Sequence, residues 1–158
     1  MNKSLTFSIS SLVEASTGTS QKFSFQGPVD FEGIKITSDI SGQIDVMRIE
    51  GGLNVIITDL TLEIKLNCEK CLIPSIQKIL IPKTDRQFYF VPPGDIGDIN
   101  DLFLVNNKDL TIDVSEPIRQ EIILHLPSIP VCSKSCKGLC AHCGKNRNFE
   151  KCSCKDAT

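Results

Sequence analysis

A chain of 158 residues, 41% hydrophobic and 23% charged, is long enough to bury a core without covalent staples and has the makeup of an ordinary globular protein. Its formal net charge of -2 gives no bulk-charge reason to bind nucleic acid or a membrane surface, and no window approaches the roughly 18 apolar residues of a membrane span. The average hides a gradient: residues 132–158 hold six Lys and Arg against two acids, net +4, and residues 1–131 hold eleven against seventeen, net -6, so the two ends meet different surroundings.

Lys3 followed by LTFSISSLVEA has the outline of a secretory signal. Its apolar residues alternate with Ser and Thr, however, as on a strand, and never form the continuous run that a signal needs. The expected location is therefore the cytoplasm, where thiols stay reduced. Residues 34–66 carry the clearest pattern: Ile34, Ile36, Ile40, Ile44 and Val46, then Leu53, Val55 and Ile57, recur mostly at period two and predict strands. Gly51-Gly52 between two of these runs is hairpin-turn chemistry. After Ile57 the apolar phase slips to Leu60, Leu62, Ile64 and Leu66, which a β-bulge near Thr58-Asp59 explains, because one extra residue exchanges the faces.

Cys68 continues that phase, and Leu72, Ile73, Ile76, Ile79 and Ile81 follow Cys71. Cys68-Glu-Lys-Cys71 is thus expected at a hairpin tip. A strand is expected at 87–91, and 94–109, with Asp95, Asp98 and Asp101, reads as a loop without an EF-hand pattern. One helix is expected near 114–126: Asp113 or Ser115 as N-cap, Glu116 and Pro117 in the first turn, and Val114, Ile118, Ile122 and Leu126 on one face. Pro127 and Pro130 end it. The expected fold is α+β, mainly antiparallel β as a curved sheet or partial barrel, with one principal helix. A body of residues 1–127 would carry a cysteine-rich tail, 128–158, packed on it in a single domain.

The tail reads CSKSCKGLCAHCGKNRNFEKCSC, holding Cys132, Cys136, Cys140, Cys143, Cys152 and Cys154; with Cys68 and Cys71 it accounts for all eight cysteines. Cys140-Ala-His-Cys143-Gly144 is a zinc-knuckle pattern, whose turn lets two sulfurs face one ion while backbone N–H groups point at them. Cys68-x-x-Cys71 is the same device without the glycine, and eight thiols are the right number for two structural zinc sites. Disulfides are disfavoured by the compartment, and Cys152-Ser-Cys154 is too close in sequence for an easy mutual bond. A thioredoxin-like site would need its motif at a helix N-terminus after a strand, which neither C-x-x-C offers. Iron–sulfur ligation remains a weaker alternative.

Two groupings of the thiols stand open. One places Cys140, Cys143, Cys152 and Cys154 around one ion and Cys68, Cys71, Cys132 and Cys136 around the other; the rival pairs the two knuckles across the fold. Closing the ~60-residue gap costs only a few kcal/mol of loop entropy, small beside the roughly 10–16 kcal/mol from structural zinc. Lys134, Lys137, Lys145, Arg147, Lys151 and Lys155 either offset thiolate charge or form a small phosphate-binding patch. His125 reads as a packed or surface residue, and His142 as pointing away from the knuckle. No Walker loop, dinucleotide fingerprint, nucleophile elbow or H-E-x-x-H is present, and eight ligating cysteines would leave no open coordination position. An enzyme is not expected.

The order C-E-K-C-L, then I-D-V-S-E-P-I-R-Q-E-I-I-L-H-L-P, then C-K-G-L-C-A-H-C-G-K-N-R-N and C-S-C resembles the YceD-like family, the large ribosomal RNA subunit accumulation proteins of bacteria and plastids. Arg147 stands where that family's tail usually has Leu. The resemblance implies a β-rich fold without catalytic residues. It also implies a role in accumulation or processing of large-subunit rRNA through binding of that RNA or a pre-ribosomal particle, or of a ribosomal protein, with no membrane partner. It maps the family's cysteines onto the eight named above. From other classes, a protein-binding adaptor without RNA contact and a thiol redox or zinc-release switch are the competing readings.

Overall fold

The computed structural model describes residues 5–94 and 102–154. Asp95, Asp98, Asp101 and Lys155 lie outside them. In chain order the elements are β1 (Thr6–Ser8), α1 (Ser10–Val13), β2 (Ser20–Gly27), β3 (Ile40–Ile49), β4 (Gly52–Asn67), β5 (Pro74–Tyr89), β6 (Phe103–Leu104), β7 (Thr111–Asp113) and α2 (Ser115–Leu124). Five strands form one sheet in the order β2-β3-β4-β5-β6, and β1 pairs with β7 in a separate ladder. The first four strands are antiparallel neighbours; β5 and β6 are parallel. Among the described residues β2 and β6 do not meet, so the sheet stays open and does not close into a barrel.

The long hairpin β4–β5 organises the molecule, and the phase slip in the sequence is where it bends. Leu53, Val55 and Ile57 are buried before the slip, and Leu60, Leu62 and Ile64 after it. The β3–β4 register passes from Gln43↔Thr58 to Ser41↔Thr61, which places one extra residue on β4. Asp59 takes it up with φ +53°, a left-handed conformation that Asp tolerates better than most side chains. Strand β5 follows the same change, burying Ile79 and Ile81 on one side of it and Thr84 and Phe88 on the other. One 16-residue strand, Pro74–Tyr89, therefore takes in most of both apolar runs through a polar middle, with Leu72 and Ile73 in the turn before it and Phe90 and Val91 beyond its end.

Several expectations shift. Ile34 and Ile36 are not in a strand; they make isolated bridges, Phe31↔Ile34 and Ile36↔Ile64. The reason is that β3 pairs with β4 only as far as Thr61, and the bare edge beyond takes Lys35–Thr37 through Lys65 N–H to Lys35 O (2.8 Å) and Thr37 N–H to Glu63 O (2.9 Å). The turn between β3 and β4 is Glu50-Gly51, with Ile49 opposite Gly52. Gly52 is required for another reason: a Cβ there would lie 2.1 Å from the carbonyl oxygen of Phe88. Within the expected loop, Phe103 and Leu104 form β6.

Helix α2 buries the expected face: Val114, Ile118 and Ile122 are fully buried, and Leu126 packs against the same core. Neither Asp113 nor Ser115 is its N-cap. That place falls to Val114, which has no side-chain capping bond, because its N–H is tied to Leu5 O at 3.0 Å and its side chain is in the core. Asp113 Oδ1 instead accepts the Ser115 N–H at 2.9 Å. Glu121, buried on α2, is ion-paired with Arg86 on β5. Beyond the helix the chain returns to the β4–β5 tip: Glu69 N–H donates to Pro130 O (2.8 Å) and Gln77 Nε2 to Val131 O (3.2 Å).

Candidate metal centre

The tip of the β4–β5 hairpin, residues 68–73, is a knuckle. Cys68 N–H donates to Ile73 O at 2.9 Å and Leu72 N–H to Cys68 O at 2.8 Å, so the chain reverses with both thiols on one side. The tail builds the same turn at its second C-x-x-C: Cys140 N–H donates to Lys145 O (2.8 Å) and Gly144 N–H to Cys140 O (2.9 Å). The two knuckles are stitched together by Leu139 N–H to Lys70 O at 3.0 Å.

Eight sulfurs fall into two groups of four. Cys68, Cys71, Cys132 and Cys136 form the first, Cys140, Cys143, Cys152 and Cys154 the second, and within each group the sulfurs lie within 4.8 Å of one another. This is the local grouping, with the knuckles in separate groups. In the first, Cys68 and Cys136 sulfurs are 3.8 Å apart and those of Cys71 and Cys132 3.6 Å. In the second, Cys143–Cys152 is 3.5 Å and Cys140–Cys152 3.2 Å. None of the eight is in a disulfide. The first group is the deeper one: Cys68, Cys71 and Cys136 are buried beneath Val131 and only Cys132 is exposed, whereas in the second only Cys140 is buried, Cys143 is exposed and Cys152 and Cys154 are half-buried.

The electrostatics of each group are those of a cage for a cation. Burial works against ionising Cys68, yet backbone N–H groups of Cys132, Cys71 and Lys70 aimed at its sulfur bring the thiol down to about 6. Cys140 is also lowered to about 6, by the N–H groups of Cys143 and His142 and then by the Cys152 thiol. Once one sulfur is charged, its neighbours resist. Cys132 is pushed up to about 12 by Cys136 and then Cys71, and Cys154 to about 12 by Cys152 and then Cys143. A divalent cation removes that repulsion, and either group can hold one.

One residue of the site is invisible to a search for ligands. Asn148, in the loop between Cys143 and Cys152, lowers the Cys136 thiol by donating Nδ2–H to its sulfur at 3.4 Å. A polar N-x-N after the knuckle was the only sequence trace of it. His142 is exposed, and His125 sits at the C-terminus of α2 with Nδ1 2.9 Å from Glu121 O. Beside the second group, a pocket of about 350 Å³ is lined by Lys137, Arg147, Glu150, Lys151, Cys152 and Cys154. Phe149 is 78% exposed. Among the described residues no helix is long and apolar enough to cross a membrane.

The family model described as large ribosomal RNA subunit accumulation protein YceD matches residues 58–158, from the bulge in β4 through all eight cysteines. An Arabidopsis thaliana protein named large ribosomal RNA subunit accumulation protein YCED homolog 1, chloroplastic, is 42% identical over 43 residues, 27% of this chain and 13% of the relative. A Zea mays protein of the same name is 46% identical over 48 residues, 30% of this chain and 16% of the relative. An uncharacterised Mycobacterium tuberculosis protein is 33% identical over 78 residues, 49% of this chain and 37% of the relative. The matches span well under half the length of these relatives. No solved structure matches the chain.

Proposed function

The chain belongs to the YceD family, and on that premise we propose that it is a non-enzymatic factor for accumulation or processing of large-subunit ribosomal RNA. In this reading it works in the cytoplasm, binds that RNA or a pre-ribosomal particle, and uses two structural zinc ions to hold its tail on its body. Zinc suits the donor sets: four sulfurs about 2.3 Å from one ion sit roughly 3.8 Å apart, and here every sulfur of a group lies within 4.8 Å of the others, with four pairs at 3.2–3.8 Å. The ion supplies charge and a rigid tetrahedral node. The chain supplies the knuckle turns, the N–H groups on sulfur and the hydrogen bonds to the body.

The observation that carries the RNA contact is the pocket where Lys137, Arg147 and Lys151 converge against a single acid, Glu150. Four thiolates around a zinc leave a formal charge of about -2 per site, so the tail's cations largely offset the sites and no broad cationic surface results. Contact is local instead. Phosphate oxygens lie against the three cations, and the exposed ring of Phe149, between them in sequence, offers a face on which an unpaired base stacks. The test is binding of the zinc-loaded chain to large-subunit rRNA transcripts across a salt series. Replacing Lys137, Arg147 and Lys151 together with Gln should weaken binding at least tenfold and flatten the log–log salt slope by about two. Unchanged affinity and slope would sink this reading of the pocket.

A second reading has its own support. Ile123, Leu124 and Ile129, at and beyond the end of α2, are exposed, and such a patch suits a protein partner, including a ribosomal protein. That adaptor would give a complex that survives both ribonuclease and salt.

A further inference from the structure

The two groups of cysteines share a side chain. Asn148 belongs to the loop that closes the second group, yet its Nδ2–H points at Cys136 of the first (3.4 Å). The rest of the amide is also committed: Oδ1 accepts the Lys137 N–H at 2.8 Å, and Nδ2 also donates to Asn146 Oδ1 at 2.8 Å. The same Asn146 Oδ1 takes the Asn148 N–H at 3.0 Å, and Glu150 Oε2 takes the Asn146 N–H at 3.1 Å. Arg147 N–H donates to Gly138 O at 3.0 Å. The loop is thus laid along the 136–140 segment, and its own ends are fixed at Cys143 and Cys152. An amide is the side chain that fits: it must donate to sulfur and accept from the backbone at once, whereas Asp in its place would set a carboxylate against a thiolate.

A donor on a ligand sulfur spreads the charge of the thiolate, and losing such a partner typically costs 10–100-fold in metal affinity. Here the donor sits on a loop whose two ends carry Cys143 and Cys152 of the second group, so closing that group fixes the span from which Asn148 reaches Cys136. We propose that Asn148 couples the two metal sites, so that an ion held by Cys140, Cys143, Cys152 and Cys154 tightens the grip of Cys68, Cys71, Cys132 and Cys136 on theirs. The coupling is reciprocal: filling the first site orders the loop and favours the second. Asn148 touches no ion. It is a positioning residue, and the second knuckle is part of the outer shell of the first. This inference rests on the two-zinc reading above.

The test is a double-mutant cycle on the full chain, read as zinc retention at the first site. Replacing Cys143 and Cys152 with Ser leaves only the first site competent, and native mass spectrometry should find one ion per chain in place of two. Competition with a chromogenic chelator should then show that ion held about tenfold more weakly than the first-site ion of the unaltered chain. Asn148→Ala in the intact chain should cause a similar loss at the first site, and combining it with the two serines should add little. Cobalt in the first site of the intact chain, with the second site also filled, reports the hydrogen bond directly, because its thiolate charge-transfer band should shift on Asn148→Ala. Asn148→Asp, of equal size, should weaken retention at least as much as Ala and separates chemistry from packing. Equal losses in both backgrounds, or an unmoved cobalt band, would overturn the coupling and leave two independent zinc sites standing. An unaltered chain that takes up no metal would overturn the zinc reading and the coupling with it.

Discussion

Leu72 occupies in the first knuckle the backbone station that Gly144 occupies in the second. Each follows the second cysteine of its C-x-x-C, each returns its N–H to the first cysteine's carbonyl, and their φ angles are +61° and +72°. A left-handed backbone costs a side chain about 1–2 kcal/mol that glycine does not incur. The hairpin bears that cost because β4 and β5 hold the tip from both sides. Gly144→Leu should therefore destabilise the second site by about 1 kcal/mol and speed its zinc loss to chelator, while Leu72→Gly, removing a 62% exposed side chain, should be tolerated. Equal retention in Gly144→Leu and the unaltered chain would contradict the geometry.

Acid should empty the sites over a definite range. Cys68 and Cys140 are held at about 6, below the thiol's ordinary 9. Their ionised forms thus contribute stability that is full above 9 and lost as the pH falls through about 6. Protons compete with metal for the same sulfurs, so zinc should be retained at neutrality and lost only under acid below about pH 6, since a bound ion holds the thiolates ionised past their metal-free range. Loading at neutral pH should expel protons, those of Cys132 and Cys154 among them, since repulsion keeps both thiols protonated without an ion. Zinc content after dialysis at stepped pH, with proton release followed in weak buffer, checks both halves.

Removing metal should free the tail and spare the sheet. The main core runs from Leu5 to Ile122 and contains no cysteine, whereas Cys68, Cys71 and Cys136 form a separate cluster with Val131. Chelation should open tryptic sites at Lys134, Lys137, Lys145, Arg147 and Lys151 while the strand signal in circular dichroism persists. Collapse of that signal together with the cleavage would mean that the body depends on the metal for its fold.

Arg86 and Glu121 tie α2 to the middle of β5, where the strand is otherwise polar. Arg86 also donates to Thr84 Oγ1 at 3.1 Å and Asp85 O at 2.7 Å. Arg86→Ala would leave the buried Glu121 carboxylate with only His125 Nδ1, 3.7 Å from its other oxygen, and breaking such a buried pair costs about 3 kcal/mol. Urea denaturation of the zinc-loaded protein should show that loss, and a double variant with Glu121→Ala should recover part of it.

Where burial repeats along the chain, the sequence was readable. The helix face from Val114 to Leu126, the phase slip at Thr58-Asp59 and the knuckle at Cys68-Cys71 all announce themselves by local period or spacing. Strand β2 did not, because Phe23 and Phe25 are the only apolar side chains in SQKFSFQG. Ile34 and Ile36 misled, since alternation fixes which face is buried and not whether a ladder continues. Asn148 was hidden for a third reason: its partner Cys136 is 12 positions away, and a loop asparagine carries no mark of the sulfur it serves.

The first group also has a history in time. Cys71 and Cys132 are 61 residues apart, and at about 5–20 residues per second the ribosome needs roughly 3–12 s to make that interval. Through that wait the hairpin tip offers two sulfurs to any passing ion, and its other two partners do not yet exist. A nascent or broken chain that stops short of Cys136 keeps this half-built cage, with the apolar Leu72 and Ile73 beside it. Closure of the first site therefore reports that translation has passed the tail's first two cysteines.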